Sequence, residues 1–332
     1  MSRPTIRDVA KAAGVSMSTV SRVLSHPDLF RESTRRRVQA AAESLNYSPS
    51  RSAASLSTGR TGNIGLVVPS LANPLFPEMV KAAQHRAGDA GFAALLADTD
   101  DDADREQQLI NTLAKDADGI VDFSSLLPTD RLLAAAAIRP MVFVNRAVES
   151  QRCVLVNARQ GMLLIMHYLA NLGHTGVHYL PGPVNSWVAA DRQAAAAAAA
   201  DEADLQFDLG GSSTPSFEAG VAQADDLIRR PLPTAILCFN DIIALGVVSR
   251  LLAVGVRVPD QVSVCGWGGT RLAGYYRPPL TTVSMPLRDL GRIAVEQLLS
   301  RPVPPPPTDP EPHLLLDVSL EVRATTGRAP NR

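Results

Sequence analysis

The sequence predicts an N-terminal all-α helix-turn-helix head followed by an α/β two-lobed body built on doubly wound parallel sheets. Three observations predict it. Residues 5–24 read as two short helices around a tight turn. From residue 61 onward, short apolar runs alternate with amphipathic stretches. Charge is divided between the two parts: residues 1–60 hold ten Lys/Arg and four Asp/Glu, a net of +6, whereas the whole 332-residue chain is −1, which leaves −7 beyond residue 60.

The head follows from local chemistry. Thr5 can cap the first helix, and Asp8, three residues on, completes a capping pattern with its charge where the helix dipole favours it. Ile6, Val9, Ala10 and Ala13 recur at helical spacing and make one apolar face. Gly14 suits a C-terminal cap because glycine tolerates positive φ. Val15 plugs the angle between the helices, and Ser16 is a good N-cap for the second. Val20, Val23 and Leu24 face inward there, leaving Met17, Ser18, Ser21 and Arg22 outward. A third helix is predicted over 33–45, with Val38, Ala41, Ala42 and Leu45 facing in. A basic segment presenting such a helix points to DNA phosphates and base edges. The run Arg35, Arg36, Arg37 reads equally as a solvated helix face or as phosphate contacts.

The body is predicted as two strand–helix series. In the first, strands at 64–69, 92–96, 119–123 and 141–145 alternate with helices at 75–90, 104–115 and 130–138. In the second, strands at 177–180, 235–239 and 262–266 alternate with helices at 159–171, 188–200, 216–229 and 241–253. Buried apolar strands between amphipathic helices mean parallel sheets covered on both faces. The alanine run 194–200 reads as helix former, and the proline-rich stretch 302–312 as an extended crossover.

Composition narrows the function classes. With 45% hydrophobic residues the chain can bury more than one core. No run approaches 18 uninterrupted apolar residues, so no membrane span is expected, and the charged N-terminus lacks the apolar centre of a signal peptide. A cytoplasmic location follows as an expectation. Cys153, Cys238 and Cys265 sit far apart in apolar runs and read as buried free thiols without metal spacing. There is no G-x-G-x-x-G after the first strand, no P-loop and no G-x-S-x-G, so neither an enzyme nor a cofactor is expected. His167, His174 and His178 lie close in sequence without metal-ligand spacing.

The chain resembles the lactose-repressor/galactose-repressor (LacI/GalR) family of transcription factors. The resemblance is carried by T-I-R-D-V-A-K-A-A-G-V-S-M-S-T-V-S-R-V-L at 5–24 and L-N-Y-S-P-S-R-S-A-A-S-L at 45–56. It continues with T-G-N-I-G-L-V-V-P at 61–69, N-P-L-F at 73–76, D-G-I-V at 118–121 and L-G-H-T at 172–175. The last matches are F-N-D-I-I-A-L-G at 239–246, R-P-P-L-T-T-V at 277–283 and L-E-V-R-A-T-T-G at 320–327. These keep the family's order over nearly the whole chain.

The resemblance implies a DNA-binding domain at 1–49, a hinge at 50–60 and a periplasmic-binding-protein-like body at 61–332. The two lobes would span about 61–158 with 286–312, and 159–285 with 313–332. It implies a homodimeric repressor on a pseudo-palindromic double-stranded operator, one recognition helix per half-site, controlled by a small-molecule effector. Met17, Ser18 and Arg22 would face bases, with Arg22 bidentate on guanine. Thr5, Ser16, Thr19 and Ser21 would cap or hold phosphates. In the hinge, Leu56 matches the leucine that wedges into the minor groove, with Arg51 and Ala54 beside it.

For the effector, the resemblance points to Asn73, Phe76, Asn145, Arg146, Trp187, Arg192, Asn240, Asp241 and Trp267. Family members often carry Asp where this chain has Asn145 and Asn157, and an Asp-Asp pair where it reads Trp267-Gly268-Gly269. The expectation is a sugar, or, given the lost carboxylates, a sugar acid or sugar phosphate. A solute-binding protein without DNA regulation is the alternative, since the body alone is similar to sugar receptors.

Overall fold

A computed structural model of the chain describes residues 4–25, 27–47, 60–300 and 313–331. It divides into two compact units, Met1–Gly62 and Asn63–Arg332.

The first unit contains α1 (Ile6–Ala13), α2 (Met17–Ser25) and α3 (Glu32–Ser44). The Asp8 carboxylate accepts from both the Thr5 backbone N–H at 2.9 Å and the Thr5 hydroxyl at 2.8 Å, which closes the start of α1. These bonds hold the Asp8 carboxyl below its ordinary pKa. Gly14 ends the helix at φ 63, in the left-handed region. Ser16 then caps α2 by accepting from the Thr19 N–H at 3.1 Å. Val9, Ala10, Ala13, Val20, Val23, Val38, Ala41 and Ala42 form the core, with Ile6, Val15, Leu24 and Leu45 packed around it. The apolar positions read from helical spacing are therefore the ones that meet.

The second unit holds two six-stranded sheets. The first runs β11-β5-β4-β3-β1-β2, from β1 (Asn63–Val68), β2 (Ala93–Asp98), β3 (Gly119–Phe123), β4 (Met141–Val144), β5 (Arg152–Val156) and β11 (His313–Leu316). The second runs β12-β10-β9-β8-β6-β7, from β6 (Gly176–Leu180), β7 (Gln206–Leu209), β8 (Ala235–Cys238), β9 (Ser263–Gly268), β10 (Thr281–Ser284) and β12 (Ser319–Glu321). Every pairing is parallel except β10 with β12.

The helices between them are α4 (Leu75–Asp89), α5 (Ala103–Asp116), α6 (Thr129–Ile138), α7 (Ala158–Asn171), α8 (Trp187–Glu202), α9 (Phe217–Ile228), α10 (Asp241–Ala253), α11 (Arg271–Tyr275) and α12 (Leu287–Leu299). Doubly wound sheets place ligands at the carboxyl ends of their strands, and here Asn145 follows β4 and Asn157 follows β5.

Three features depart from the sequence reading. Helices α11 and α12 fall in stretches to which it assigns no element. Strands β5, β7, β10, β11 and β12 were not predicted. They are short, and β7 is an edge strand with mostly exposed residues, so apolar patterning does not mark it. The lobe boundary also moves. β11 pairs in register with β5, His313 opposite Cys153 through Leu316 opposite Val156, so residues 313–316 belong to the first lobe and the last crossover falls after Leu316. The proline-rich 302–312 stretch lies outside the described residues, as do the hinge residues Arg51, Ala54 and Leu56.

Cys153, Cys238 and Cys265 are buried free thiols. Among the described residues, no helix is long and apolar enough to cross a membrane, and no cluster of three His, Cys, Asp or Glu could hold a metal.

Candidate functional sites: an exposed helix face and an interlobe cavity

On the head, the structure leaves Met17, Ser18, Ser21 and Arg22 exposed along α2 while the opposite face packs into the core. Ser16 is held by Ser18 and Thr19, whose hydroxyl oxygens lie 2.8 Å from its own. The start of α2 is thus fixed before any partner arrives. The Arg22 guanidinium lies 5.7 Å from the Phe30 ring centroid, which supports the side chain without burying it. Arg36 pairs with Glu32 one turn earlier on α3.

In the body, a cavity of about 350 Å³ lies between the lobes. From the first lobe come Asn145, Leu155 and Leu315; from the second come Trp187, Asp191 and Arg192 on α8. Asn157, Ala158 and Arg159 line it where the chain crosses between them. Ser186 caps α8 by accepting from the Ala189 N–H at 3.3 Å, which aims the first turns of that helix at the cavity. Ala196, Ala199 and Ala200 bury the other side of α8 against the second sheet. The alanine run therefore does more than form helix: Ala194, Ala195 and Ala198 make a close, side-chain-poor wall.

Arg192 is the central group. It is 3% exposed, and its guanidinium carbon lies over the rings of Phe239 and Trp267, at 4.8 and 4.9 Å from their centroids. One Nη donates to the Phe239 carbonyl at 2.9 Å, the other approaches the Met285 sulfur at 3.8 Å, and Nε has no partner. Burial lowers its pKa to about 10, which leaves it a cation at neutral pH.

Asn145 stands beside it in the left-handed region, φ 54, with both side-chain amide atoms buried and unpartnered. Asn240 caps α10 through its Oδ1, which accepts from the Ile243 N–H at 3.0 Å, and leaves its Nδ2 without a partner.

The other expected effector residues fall differently. Trp267 is 1% exposed, lies in the core and donates its indole N–H to the Met285 sulfur, so it supports Arg192 from behind and does not line the cavity. Asp241 accepts from the Thr270 N–H and hydroxyl, each at 2.8 Å, and from the Thr282 hydroxyl at 2.5 Å. Its carboxylate is occupied holding α11 and β10 to the start of α10. Phe76 is a core residue, and the Asn73 Oδ1 accepts from the Leu75 N–H at 3.2 Å.

Arg146 turns back into its own lobe, donating to the Leu127 carbonyl and the Thr129 hydroxyl, while its guanidinium carbon lies 5.9 Å from the Trp187 ring. A side chain from the first lobe thereby meets one from the second.

Sequence reasoning missed the acid pair behind Arg146. Asp122 on β3 and Glu106 on α5 are both buried. Glu106 accepts from the Ser125 hydroxyl and the Leu126 N–H, whereas neither Asp122 oxygen has a partner. Burial first, and the neighbouring Glu106 charge second, push the Asp122 carboxyl well above its ordinary pKa; burial raises Glu106 too. The apolar run I-V-D-F hid Asp122 because an acid in a buried parallel strand carries no periodic signal. His174 and His178 prove structural: His174 bridges Thr234 and the Gly327 carbonyl, and His178 lies between Asp208 and Arg230.

The lobes also touch across the cleft. The Arg271 Nε lies 2.8 Å from Glu78 Oε1, joining α11 to α4. A Cβ at Gly268 would lie 3.1 Å from Leu75 of the opposite lobe.

Comparison with known proteins agrees with this division. Residues 5–50 match the family described as bacterial regulatory proteins of the lacI family, and residues 166–326 match the periplasmic binding protein-like domain. The HTH-type transcriptional repressor PurR of Aliivibrio fischeri is 34% identical over 309 residues, covering 90% of this chain and 91% of that protein. The HTH-type transcriptional regulator DegA of Bacillus subtilis is 33% identical over 298 residues, covering 87% and 88%. Among solved structures, the lac repressor dimer bound to operator and the anti-inducer ONPF superposes with a TM-score of 0.85 at 29% identity, covering 98% of this chain and all of that one. The chain belongs to the LacI family of bacterial regulatory proteins.

Proposed function

We propose that this protein is a cytoplasmic, homodimeric transcriptional repressor that binds a pseudo-palindromic operator and is controlled by a small molecule in the interlobe cavity. The exposed α2 face carries this reading: a capped helix with small polar side chains and one arginine, in a segment of net charge +6. Met17, Ser18 and Arg22 read base edges, and Arg22 is the residue with the geometry for bidentate contact to guanine. Thr5, Ser16, Thr19 and Ser21 position the helix on phosphates. Leu56, with Arg51 and Ala54, wedges the minor groove between two hinge segments. A repressor relative at 34% identity over 90% of the chain, and the likeness to an operator-bound dimer, support it.

The cavity supplies control. Asn145, Trp187 and Arg192 line it from both lobes, so a ligand bound there interacts with the two arrangements of the lobes unequally. That inequality is what allostery requires.

Selection from a random duplex DNA pool with the full-length chain tests the reading. An inverted repeat should be enriched, and Leu56→Ala should weaken binding to it. An unenriched pool would overturn the operator reading. Leu56→Ala binding like the parent would remove the wedge.

A further inference from the structure

We infer that the ligand of the interlobe cavity carries an anionic group, a carboxylate or a phosphate monoester, that pairs with the in-plane edge of Arg192. This inference deepens the effector reading above and rests on it.

The first ground is a buried cation with no ion-pair partner: Asp191 and Asp241 favour its charge only from beyond contact distance. Arg192 is enclosed, yet among the described residues no carboxylate oxygen lies within 4 Å of it. Its protein partners are one carbonyl and one thioether, both neutral, and Nε–H has none. Buried charges are ordinarily paired. The guanidinium carbon stands over the rings of Phe239 and Trp267, contacts that leave its N–H groups to hydrogen-bond. A planar fork of donors suits the oxygens of a carboxylate or phosphate.

The second ground is the company it keeps. Asn145, on the same cavity, and Asn240, next to the carbonyl that Arg192 contacts, each have a buried amide N–H2 with no acceptor. The Tyr179 hydroxyl, buried close enough for its charge state to be felt by Arg192, is also unpartnered. Unpartnered donors thus outnumber the one unpartnered acceptor among these groups, the Asn145 Oδ1.

The third ground is where the nearby acids are. Asp241 is fully hydrogen-bonded to Thr270 and Thr282. Asp191 lines the cavity, where burial raises its pKa and the Arg192 charge lowers it, and no ion pair joins the two. At the end of β9 no acid can be added without movement. Gly269 has φ +72, and a Cβ there would stand 2.2 Å from the Ser284 hydroxyl oxygen. Arg159, also on the cavity, already pairs with Glu202, which leaves Arg192 as the unpaired cation among the cavity's lining residues.

The test is calorimetry and thermal shift on the full-length protein with matched probes: galacturonate against galactose, gluconate against glucose, glucose 6-phosphate against glucose, and inorganic phosphate alone. At least one acidic probe should bind saturably and about tenfold or more tighter than its neutral counterpart. The carboxylate and phosphate arms separate the two sources of charge. Arg192→Lys keeps a cation but loses the fork; it should weaken binding of the acid about tenfold more than it weakens binding of the neutral counterpart. The inference is overturned if a neutral probe binds tighter than its acid, if no acidic probe or phosphate binds saturably at millimolar concentration, or if Arg192→Lys binds the acid as tightly as the parent. Failure to select DNA would instead defeat the regulatory reading and leave anion binding standing.

Discussion

The two ends of this molecule organise their polar groups in opposite ways. On α2 the polar side chains are outside, and those that fix the helix are already bonded to one another: Ser16 to Ser18 and Thr19, and Thr5 to Asp8 at the start of α1. In the body the polar groups are inside and lack partners: the Arg192 Nε and the Asn145 amide on the cavity, and the Asn240 Nδ2 and the Asp122 carboxyl away from it. A face that reads DNA is solvated when free, so leaving it exposed costs nothing. A cavity that holds a ligand must keep polar atoms away from water, and their unmet bonds favour whatever supplies the complement.

Substitutions should separate these two strategies. The largest effect is expected at Trp267→Ala, which removes a fully enclosed ring from the core and from one face of Arg192; the body should lose about 3–5 kcal/mol by denaturant melting, with the helical signal of the head core retained. Asp241→Ala comes next. It leaves three buried donors without their acceptor, about 3 kcal/mol of destabilisation, although Asp241 makes no cavity contact.

On the head, Arg22→Ala should leave melting unchanged and reduce discrimination at one base pair of the selected site by about 1–3 kcal/mol, read by competition binding. Ser16→Ala should cost about 1 kcal/mol of head stability through the lost cap. Equal effects of Arg22→Ala on all base pairs would break the comparison, because the residue would then be a phosphate contact.

The smallest effect is one of pH. In the unfolded chain Asp122 ionises near its ordinary 3.8, while in the fold its pKa is raised. The folded state therefore holds a proton that the unfolded state has released, and stability falls as pH rises above that value until the folded carboxyl ionises. Asp122→Asn should flatten that part of the stability–pH curve, measured by urea melts. A slope unchanged by the substitution would assign it to other groups, Glu106 first.

Much of this was legible in the sequence, for identifiable reasons. Helices α1–α3 announce themselves by caps and by a repeat of three to four residues, and β1, β3, β4, β6, β8 and β9 by continuous apolar runs between turn residues. β10 was missed because Thr281 and Thr282 are polar yet buried, held by Thr325, Thr326 and Asp241 from elsewhere in the chain. β11 was placed in the wrong lobe because its partner β5 lies some 160 residues away, and strand neighbours that distant leave no local trace.

At the site, Arg192, Asn145 and Trp187 were found through motif resemblance. Whether each lines the cavity depends on its neighbours: Trp267 and Asp241, expected at the effector, bond to Met285, Thr270 and Thr282 and do not line it. The pairing of Glu106 with Asp122 was out of reach, since only the packing of α5 on the first sheet brings them together.

Control of DNA binding through the cavity requires that cavity and helix face be coupled. The most direct test titrates the selected duplex by fluorescence anisotropy with and without a saturating concentration of the tightest-binding acid from the probe panel. Operator affinity should change about fivefold or more in one direction, and the change should disappear in Arg192→Lys. Operator affinity that stays the same at saturating ligand would contradict it.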